Sequence, residues 1–409
     1  MKVLLIHDFY QIFGGEDAVA LSERKLLEKH GHQVLLYSRH NDELQSFGVP
    51  DKLYFIFDTV YSMRTAREVK KTVLDFQPDV AYIHNIYPLI SPSVYHLLYS
   101  MDVPIVQCVH NFRPFCPNGL FFTHGERCQR CKGGNYLHSI VHHCYRDSYY
   151  LSLVYAASVA VNRLKNMLDR ISAFICLTKF YEKLLVEQGV PEEKIFVRPS
   201  SIDTSVVTPH FGAALDPYAV YLGRLSVEKG PWTLLRAFEY APEVRLKIIG
   251  TGPLEEDMRR YIQEKGLHNV EMVGFKTGEE KWELLKNALF AVISSDCYEN
   301  FPVAALEFYA AGKPIVAPDL GGLPYIIKDA QTGLLFRPDN SADLADKARH
   351  LFSHPEEAVR MGRRARELAE IEFSPDKSYE NLMNIFEQVR QPVRVLPTVA
   401  VSDNYLSTR

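Results

Sequence analysis

Short apolar runs rich in β-branched residues alternate along the chain with segments whose apolar positions recur at helical spacing. Runs that are apolar at every position predict strands covered on both faces, which is typical of parallel sheets flanked by helices. The runs form two series of six and so predict two doubly wound α/β domains. The first series comprises residues 3–7, 34–37, 80–84, 105–110, 174–177 and 195–198. The second comprises residues 219–222, 246–249, 270–273, 290–294, 314–317 and 333–336.

A stretch without a period, containing Pro, Ser, Thr and Asp, separates the two series and predicts a linker over residues 201–217. We therefore expect a first Rossmann-like domain over residues 1–200 and a second over 218–372. A final helix is predicted over residues 373–390, and packing of this helix on the first domain is one expected arrangement. Residues 391–409 are predicted to form a loosely held tail. Because ligands bind outside the carboxyl ends of parallel strands, the cleft between the domains is the expected site.

Composition and charge exclude several classes of function. The 409 residues are 47% hydrophobic and 23% charged, which is ordinary for a globular protein. A net charge of −4 gives little support for nucleic-acid binding, which needs a basic surface. No apolar run approaches the roughly 20 residues that span a bilayer, and the apolar N-terminal stretch is too short for a signal peptide. The sequence thus predicts a cytoplasmic protein.

One run of the second series is followed by a polar loop that contains Glu299, and then by a predicted helix. Pro302 suits the first helical position, since its missing N–H would be unpaired there, and Gly312 is expected to end the helix. The free N–H groups near Val303 then form an anion site suited to a diphosphate. Glu307 lies inside the helix, about 10 Å from Glu299. Spacing alone leaves open that both glutamates are merely solvated.

These two glutamates, seven residues apart and followed by Ala-Ala-Gly-Lys-Pro, resemble the EX7E signature of retaining glycosyltransferases of family 4, which have the GT-B fold. Other motifs of that family follow in the same order at predicted strand ends. They are Gly14-Gly15, His110, Gly223-Arg224-Leu225, Glu228-Lys229-Gly230, residues 249–253 and residues 321–324. The sequence departs from the family at Pro302, where many members carry Gly.

The resemblance implies a role for each matching residue. Glu299 would lie against the donor sugar, and His110 would contact a sugar hydroxyl and support the transition-state cation. Glu307 would hold the donor ribose. The remaining donor contacts would come from cations, glycines and loop amides, namely Gly14, Gly15, Arg224, Lys229, Asn300, Phe301 and Val303. No cofactor is implied for catalysis, because fixed cations can stabilise a departing diphosphate.

Four of the seven cysteines crowd into a loop-rich insertion over residues 112–146. One Cys-x-x-Cys pair with two flanking cysteines is typical of a structural zinc site. We therefore predict that four thiolates bind one non-catalytic Zn²⁺, those of Cys116, Cys128, Cys131 and Cys144. Reduced, free cysteines are the alternative, since only one pair has tight spacing.

The sequence as a whole predicts transfer of a sugar, with retention, from a UDP- or GDP-sugar to a carbohydrate or lipid-linked acceptor in bacterial polysaccharide or glycolipid assembly. A nucleotide-sugar epimerase of the same fold is one alternative, but it would need a separate set of acid/base carboxylates. A non-catalytic nucleotide-sugar-binding subunit is the other, which intact Glu299, Glu307, Arg224 and Lys229 oppose.

Acceptor recognition is expected in the first domain, where residues 145–165 are aromatic and basic. This stretch would suit peripheral contact with the inner face of the membrane, where a lipid-linked acceptor is found. A helix packed in the core is the alternative, and the pattern favours it.

Overall fold

The computed structural model describes residues 1–46, 48–211 and 216–390. The first domain contains a parallel sheet of six strands and, inserted between its fourth and fifth strands, a small antiparallel hairpin. In chain order its strands are β1 (Lys2–Phe9), β2 (Gln33–His40), β3 (Val80–Ile83), β4 (Ile105–Val109), the hairpin β5 (Phe122–Thr123) and β6 (Glu126–Arg127), β7 (Ala173–Cys176) and β8 (Ile195–Val197). The sheet order is β2-β1-β3-β4-β7-β8.

The second domain contains another parallel six-stranded sheet, with the order β11-β10-β9-β12-β13-β14. Its strands are β9 (Ala219–Leu222), β10 (Leu246–Ile249), β11 (Val270–Gly274), β12 (Phe290–Val292), β13 (Ile315–Pro318) and β14 (Gly333–Phe336). In each sheet the chain first adds strands on one side of its first strand and then on the other, so the strand order reverses once, between β1 and β3 in the first sheet and between β9 and β12 in the second. These reversals create the crevices in which doubly wound folds bind ligands.

Helices cover both sheets. In the first domain they are α1 (Gly15–Lys29), α2 (Val49–Tyr61), α3 (Met63–Phe76), α4 (Ser93–Ser100), α5 (Leu137–Val141), α6 (Tyr149–Leu164) and α7 (Lys179–Glu187). In the second they are α8 (Pro231–Tyr240), α9 (Glu255–Lys265), α10 (Gly278–Lys286), α11 (Val303–Ala310), α12 (Leu323–Ile326), α13 (Ser341–Ser353) and α14 (Pro355–Ile371), and α15 (Pro375–Arg390) follows. None of the helices in the described ranges combines the length and apolar character that crossing a bilayer requires.

The predicted fold class is confirmed, and all twelve predicted strands are present within a few residues of the expected bounds. Their pattern was informative because the central strands β3, β4 and β13 are buried along their whole length. The hairpin β5–β6 was not predicted, since two-residue strands carry no period.

The last helix, α15, packs against the first domain although it follows the second. Its Phe386 meets the Tyr82 ring of β3 edge to face, with 5.4 Å between the ring centroids. The amide of Ile202, where the chain leaves the first domain, donates to the carbonyl of Phe373, where it returns (2.9 Å). The two chain crossings are therefore tied together. Part of the predicted linker (212–215) and the predicted tail (391–409) lie outside the described residues.

A buried arginine, Arg198, joins α15 to the first domain. Arg198, which follows β8, donates to the Glu23 carboxylate of α1 (2.6 Å) and to the hydroxyl and carbonyl oxygens of Ser378 in α15 (2.6 and 3.0 Å). Arg198 and Glu23 are only 1% and 2% exposed. Tyr82 donates its hydroxyl to the same carboxylate, so both charges are satisfied without water.

Candidate functional site

The carboxyl ends of the two sheets meet across the cleft. Asn300, in the loop between β12 and α11, donates its side-chain amide to the carbonyl of Val109 at the end of β4 (2.9 Å). The Thr178 hydroxyl donates to the Asn300 side-chain oxygen from the first domain (3.3 Å). Phe180 stacks on Tyr298 with 5.6 Å between ring centroids. The predicted donor loop is therefore in direct contact with the first domain.

The starts of two helices from different domains lie together in this cleft. A Cβ atom on Gly15, the first residue of α1, would lie 3.0 Å from Cγ2 of Val303, the first residue of α11. The first turn of each helix presents unpaired N–H groups and the positive end of the helix dipole. The prediction that Pro302 takes the first helical position is wrong by one residue. Pro302 has an extended ψ of 123° and precedes the helix, while its carbonyl accepts from Ala305 (3.0 Å).

The start of α1 is held by residues that the sequence did not single out. The Asp17 carboxylate accepts from the Gly14 amide (2.8 Å) and lies 2.7 Å from His7 Nε2, and both Asp17 and His7 are fully buried. Gly14 precedes α1 in an extended conformation. A Gly-x-x-Asp spacing at the end of a strand resembles a helix cap, and this was the available signal.

Glu299 lies in a buried loop and is held from two sides. Its Oε1 accepts from Lys229 Nζ (2.6 Å) and from the Ser295 hydroxyl (2.5 Å), and the residue is 8% exposed. Burial alone would lower the pKa of Lys229, but the adjacent Glu299 carboxylate raises it, so the ammonium stays charged. The structure therefore brings the predicted sugar contact and a predicted phosphate contact into one ion pair.

Two glycines are required for the close packing around this loop. A Cβ on Gly322 would lie 2.0 Å from the Asn300 carbonyl oxygen, and the Gly322 amide donates to the Glu299 carbonyl (2.6 Å). Gly230, with a φ of +63°, brings the loop after β9 against the Ser294 carbonyl, which a Cβ would approach to 1.9 Å. Side chains at either position would displace the loops that carry Lys229 and Glu299.

Glu307 is separated from this pair and has its own cationic partner. Lys281 of α10 donates to Glu307 Oε1 (2.5 Å), with each side chain less than a fifth exposed. Sequence reasoning missed Lys281, because a lysine on an amphipathic helix usually faces solvent.

Arg224 follows β9, is exposed, and has no carboxylate within ion-pair distance among the described residues. The Phe301 ring packs in the core against Phe373, with 5.7 Å between the ring centroids. Only the backbone of Phe301 is therefore available at the cleft.

His110 directly follows β4 and pairs with a second histidine. Its Nε2 lies 2.9 Å from His84 Nδ1, and the two rings stack with 5.1 Å between centroids. Burial lowers the pKa of both imidazoles well below the usual range, so both are neutral near pH 7 and one donates to the other. His84 Nε2 is 3.5 Å from Glu23, which links the pair to the buried network of α15.

The insertion after β4 reaches the second domain. Arg127 of β6 forms an ion pair with Asp339 and donates to the Asp296 carbonyl (3.1 Å).

Within the described ranges, the one group of three potential metal ligands closer than 4.8 Å to one another is His84, Cys108 and His110. The four cysteines predicted to bind zinc carry free thiols in this insertion and do not form such a group. Burial and the neighbouring thiols raise the pKa of Cys131 to about 12.

Two family models match the chain, one for each domain. Residues 13–206 match the model described as Glycosyltransferase Family 4, and residues 213–368 match the model described as Glycosyl transferases group 1. Among curated proteins, an alpha-D-kanosaminyltransferase of Streptomyces kanamyceticus is 27% identical over 178 residues, which cover 42% of this chain and 46% of that protein. The chain spans about half the length of the curated relatives it matches first.

Solved structures share the fold at low sequence identity. The sucrose-phosphate synthase of Thermosynechococcus elongatus superimposes with a TM-score of 0.70 at 18% identity, covering 95% of this chain and 99% of that one. The Anabaena protein HepE, solved in complex with UDP and glucose, gives a TM-score of 0.68 at 16% identity, covering 95% of this chain and 100% of that one.

Proposed function

Since the chain belongs to the group 1 glycosyltransferases of family 4, we propose that it transfers a sugar from a nucleoside-diphosphate sugar to an acceptor hydroxyl with retention of configuration. The observation that carries the proposal is the meeting of the α1 and α11 N-termini at Gly15 and Val303, beside the Lys229–Glu299 pair. Two helix starts and a fixed ammonium in one cleft suit a diphosphate joined to a neutral sugar.

Different residues contact different parts of the donor. The diphosphate lies at the start of α11, where Arg224 and Lys229 neutralise the charge that develops as the sugar departs. Glu299 and His110 contact the sugar, and Glu307 holds the ribose. These cations supply the stabilisation that a bound metal would otherwise give. UDP, which HepE binds, and GDP are the two nucleotides to test.

The reaction breaks the bond between the anomeric carbon and the diphosphate oxygen and forms one to the acceptor oxygen. Glu299 is engaged by Lys229 and Ser295, which makes it a positioning contact rather than a free nucleophile. Retention then follows if the acceptor attacks from the face that the diphosphate leaves, with the acceptor proton passing to the departing phosphate. Closure of the domains excludes water and so limits hydrolysis.

The proposal is tested by thermal shift and turnover with UDP- and GDP-sugars. A donor that binds the native chain should raise its melting temperature, and nucleotide release should require an acceptor. Conversion of the donor alone into an epimer, or the absence of any binding, would contradict the proposal.

Replacement of Glu307 by alanine is expected to raise the KM for the donor about tenfold or more while kcat changes little, because a ground-state contact to the ribose is lost. Initial-rate kinetics with varied donor measure this. Glu264→Ala, which removes an exposed carboxylate from α9, is the matched control. A loss confined to kcat would place Glu307 at the reacting centre instead.

We also propose that Cys116, Cys128, Cys131 and Cys144 bind one zinc ion that orders the insertion. The support is chemical: four thiols lie in one short segment, where Asn118 contacts Cys116 Sγ (3.0 Å) and donates to the Cys144 carbonyl (3.3 Å). Protein purified without chelator should contain about one zinc per chain, measured by atomic emission. Cys128→Ser should abolish it, whereas Cys297→Ser should not. A zinc-free chain of full activity would refute the site.

An acceptor carried by a membrane lipid, as in polysaccharide or glycolipid assembly, is part of the same proposal. The α6 helix packs Val154, Tyr155 and Val159 into the first domain, as the core alternative required. Its outer face leaves Tyr149 and Leu153 at least half exposed. Peripheral membrane contact through this face predicts co-flotation of the chain with anionic vesicles, and no co-flotation would exclude it.

A further inference from the structure

A cavity lies in the first domain, outside the proposed donor contacts. Its volume is about 690 Å³, which is within the range of small-molecule sites. Its wall includes Tyr10, Arg113, Tyr145, Arg146 and Tyr155. Tyr10 lies four residues before the Gly14-Gly15 turn, and Arg113 lies three residues after His110. The Tyr10 hydroxyl donates to Glu16 in the first turn of α1 (2.8 Å), so the cavity adjoins the start of α1.

The cavity contains a buried cation without an anionic partner. Arg113 is 8% exposed, and its guanidinium carbon lies 5.4 Å from the Tyr87 ring, 5.8 Å from that of Tyr145 and 5.2 Å from that of Tyr155. Its Nε and Nη1 have no hydrogen-bond acceptor among the residues that the structure describes. No ion pair involves Arg113 within the part of the chain that the structure describes. Burying a charge is costly unless it is paired and hydrogen-bonded, and ring faces compensate only part of that cost.

The nearby groups compensate this charge only in part. Burial would raise the pKa of the Tyr145 hydroxyl, but the hydrogen-bonded Arg113 guanidinium lowers it. The Glu16 carboxylate accepts from the Tyr10 hydroxyl (2.8 Å) and from the Asn111 side chain (3.3 Å) and forms no ion pair with Arg113 among the described residues. Burial raises the pKa of Glu16, although the Arg113 charge opposes this. Among the described residues, the cavity wall contains no aspartate or glutamate, but it does contain a second cation, Arg146, which is exposed. Two guanidinium groups without a facing carboxylate favour a ligand that carries about two negative charges.

We propose that this cavity binds the acceptor through a phosphoryl group on it. Arg113 and Arg146 receive the phosphoryl oxygens in forked hydrogen bonds, and the tyrosine rings pack against the adjoining sugar or hydrocarbon. The proposal rests on the proposed transferase function, because it names the class of acceptor. A phosphorylated sugar and a lipid diphosphate present the same chemistry to the two arginines.

Calorimetric titration of the full chain tests the cavity apart from the donor site. The titration is made with saturating UDP and GDP, using glucose 1-phosphate, geranyl diphosphate and glucuronic acid as probes. Wild-type protein should bind at least one phosphoryl probe and bind glucuronic acid much more weakly. The probe that binds more tightly identifies the source, a sugar phosphate or a lipid diphosphate.

Arg113→Met is expected to weaken phosphoryl binding about tenfold to a hundredfold, and the exposed Arg146→Gln should weaken it several-fold. Arg364→Gln, which removes an exposed arginine from α14, should leave it unchanged. If Arg113→Met does not fold, Arg146→Gln decides. Unchanged binding in the folded variants, no phosphoryl binding by the wild type, or equal affinity for glucuronic acid would overturn the proposal. Nucleotide affinity, measured separately, reports on the proposed function alone.

Discussion

Replacement of Glu299 by alanine is expected to lower kcat/KM about 100- to 1,000-fold, mainly through kcat. The substitution removes the proposed contact to the donor sugar and also the carboxylate that holds Lys229 Nζ at 2.6 Å. Without it, the ammonium loses the partner that fixes its position beside the proposed diphosphate site. Both losses act on charge that develops in the transition state, so turnover should suffer more than donor affinity.

Steady-state kinetics on Glu299→Ala, with the donor identified by thermal shift, measure the effect. Glu279→Ala is the control, because Glu279 is an exposed acid on α10. Circular dichroism and melting curves show whether the variant is folded. A folded Glu299→Ala protein that keeps more than about a tenth of the wild-type kcat would remove Glu299 from the reacting centre.

The largest expected loss of stability follows from Arg198→Met, which we expect to lower the free energy of unfolding by about 3–5 kcal/mol. The substitution leaves the Glu23 carboxylate buried without its cation, and it removes the hydrogen bonds that fasten Ser378 of α15. Because two domains need not unfold in one step, the shift of the first urea transition is the quantity to compare.

Arg24→Met is the matched control, since Arg24 pairs with Glu28 on the same helix at 2.8 Å but both side chains are about 40% exposed. An exposed pair of this kind contributes at most about 1 kcal/mol. Adding Glu23→Leu to Arg198→Met removes the stranded charge and should recover part of the loss. A double variant less stable than Arg198→Met would show that the ion pair is not the source of the effect.

The sequence was sufficient for the strands but not for the contacts between distant segments. Strands such as β4 and β13 are buried throughout, and their runs of apolar residues predict this burial directly. The His7–Asp17 pair and the Lys281–Glu307 pair depend on how separate elements pack. A single sequence carries no spacing rule for such pairs, so it could not predict them.

The candidate site shows the same division. Motif order placed Glu299, Lys229 and the start of α11 near one another, because each follows a strand of one sheet. Family resemblance alone supplied a role for His110, and it gave no sign that His84 stacks on it. Arg113 stood within the sequence as one basic residue among many. Only its enclosure by three tyrosine rings distinguishes it.

The hydrogen bond between Ile202 and Phe373 has a mechanical consequence. Because the two covalent crossings are fastened at one place, we expect the second domain to rotate about that point rather than slide past the first. Exchange of the proposed donor is then expected to need only a change of angle about that point. The same arrangement makes the two domains depend on each other for stability. A chain truncated before α15 would lose the Phe386 ring that packs on Tyr82 and the Ser378 hydroxyl that accepts from Arg198.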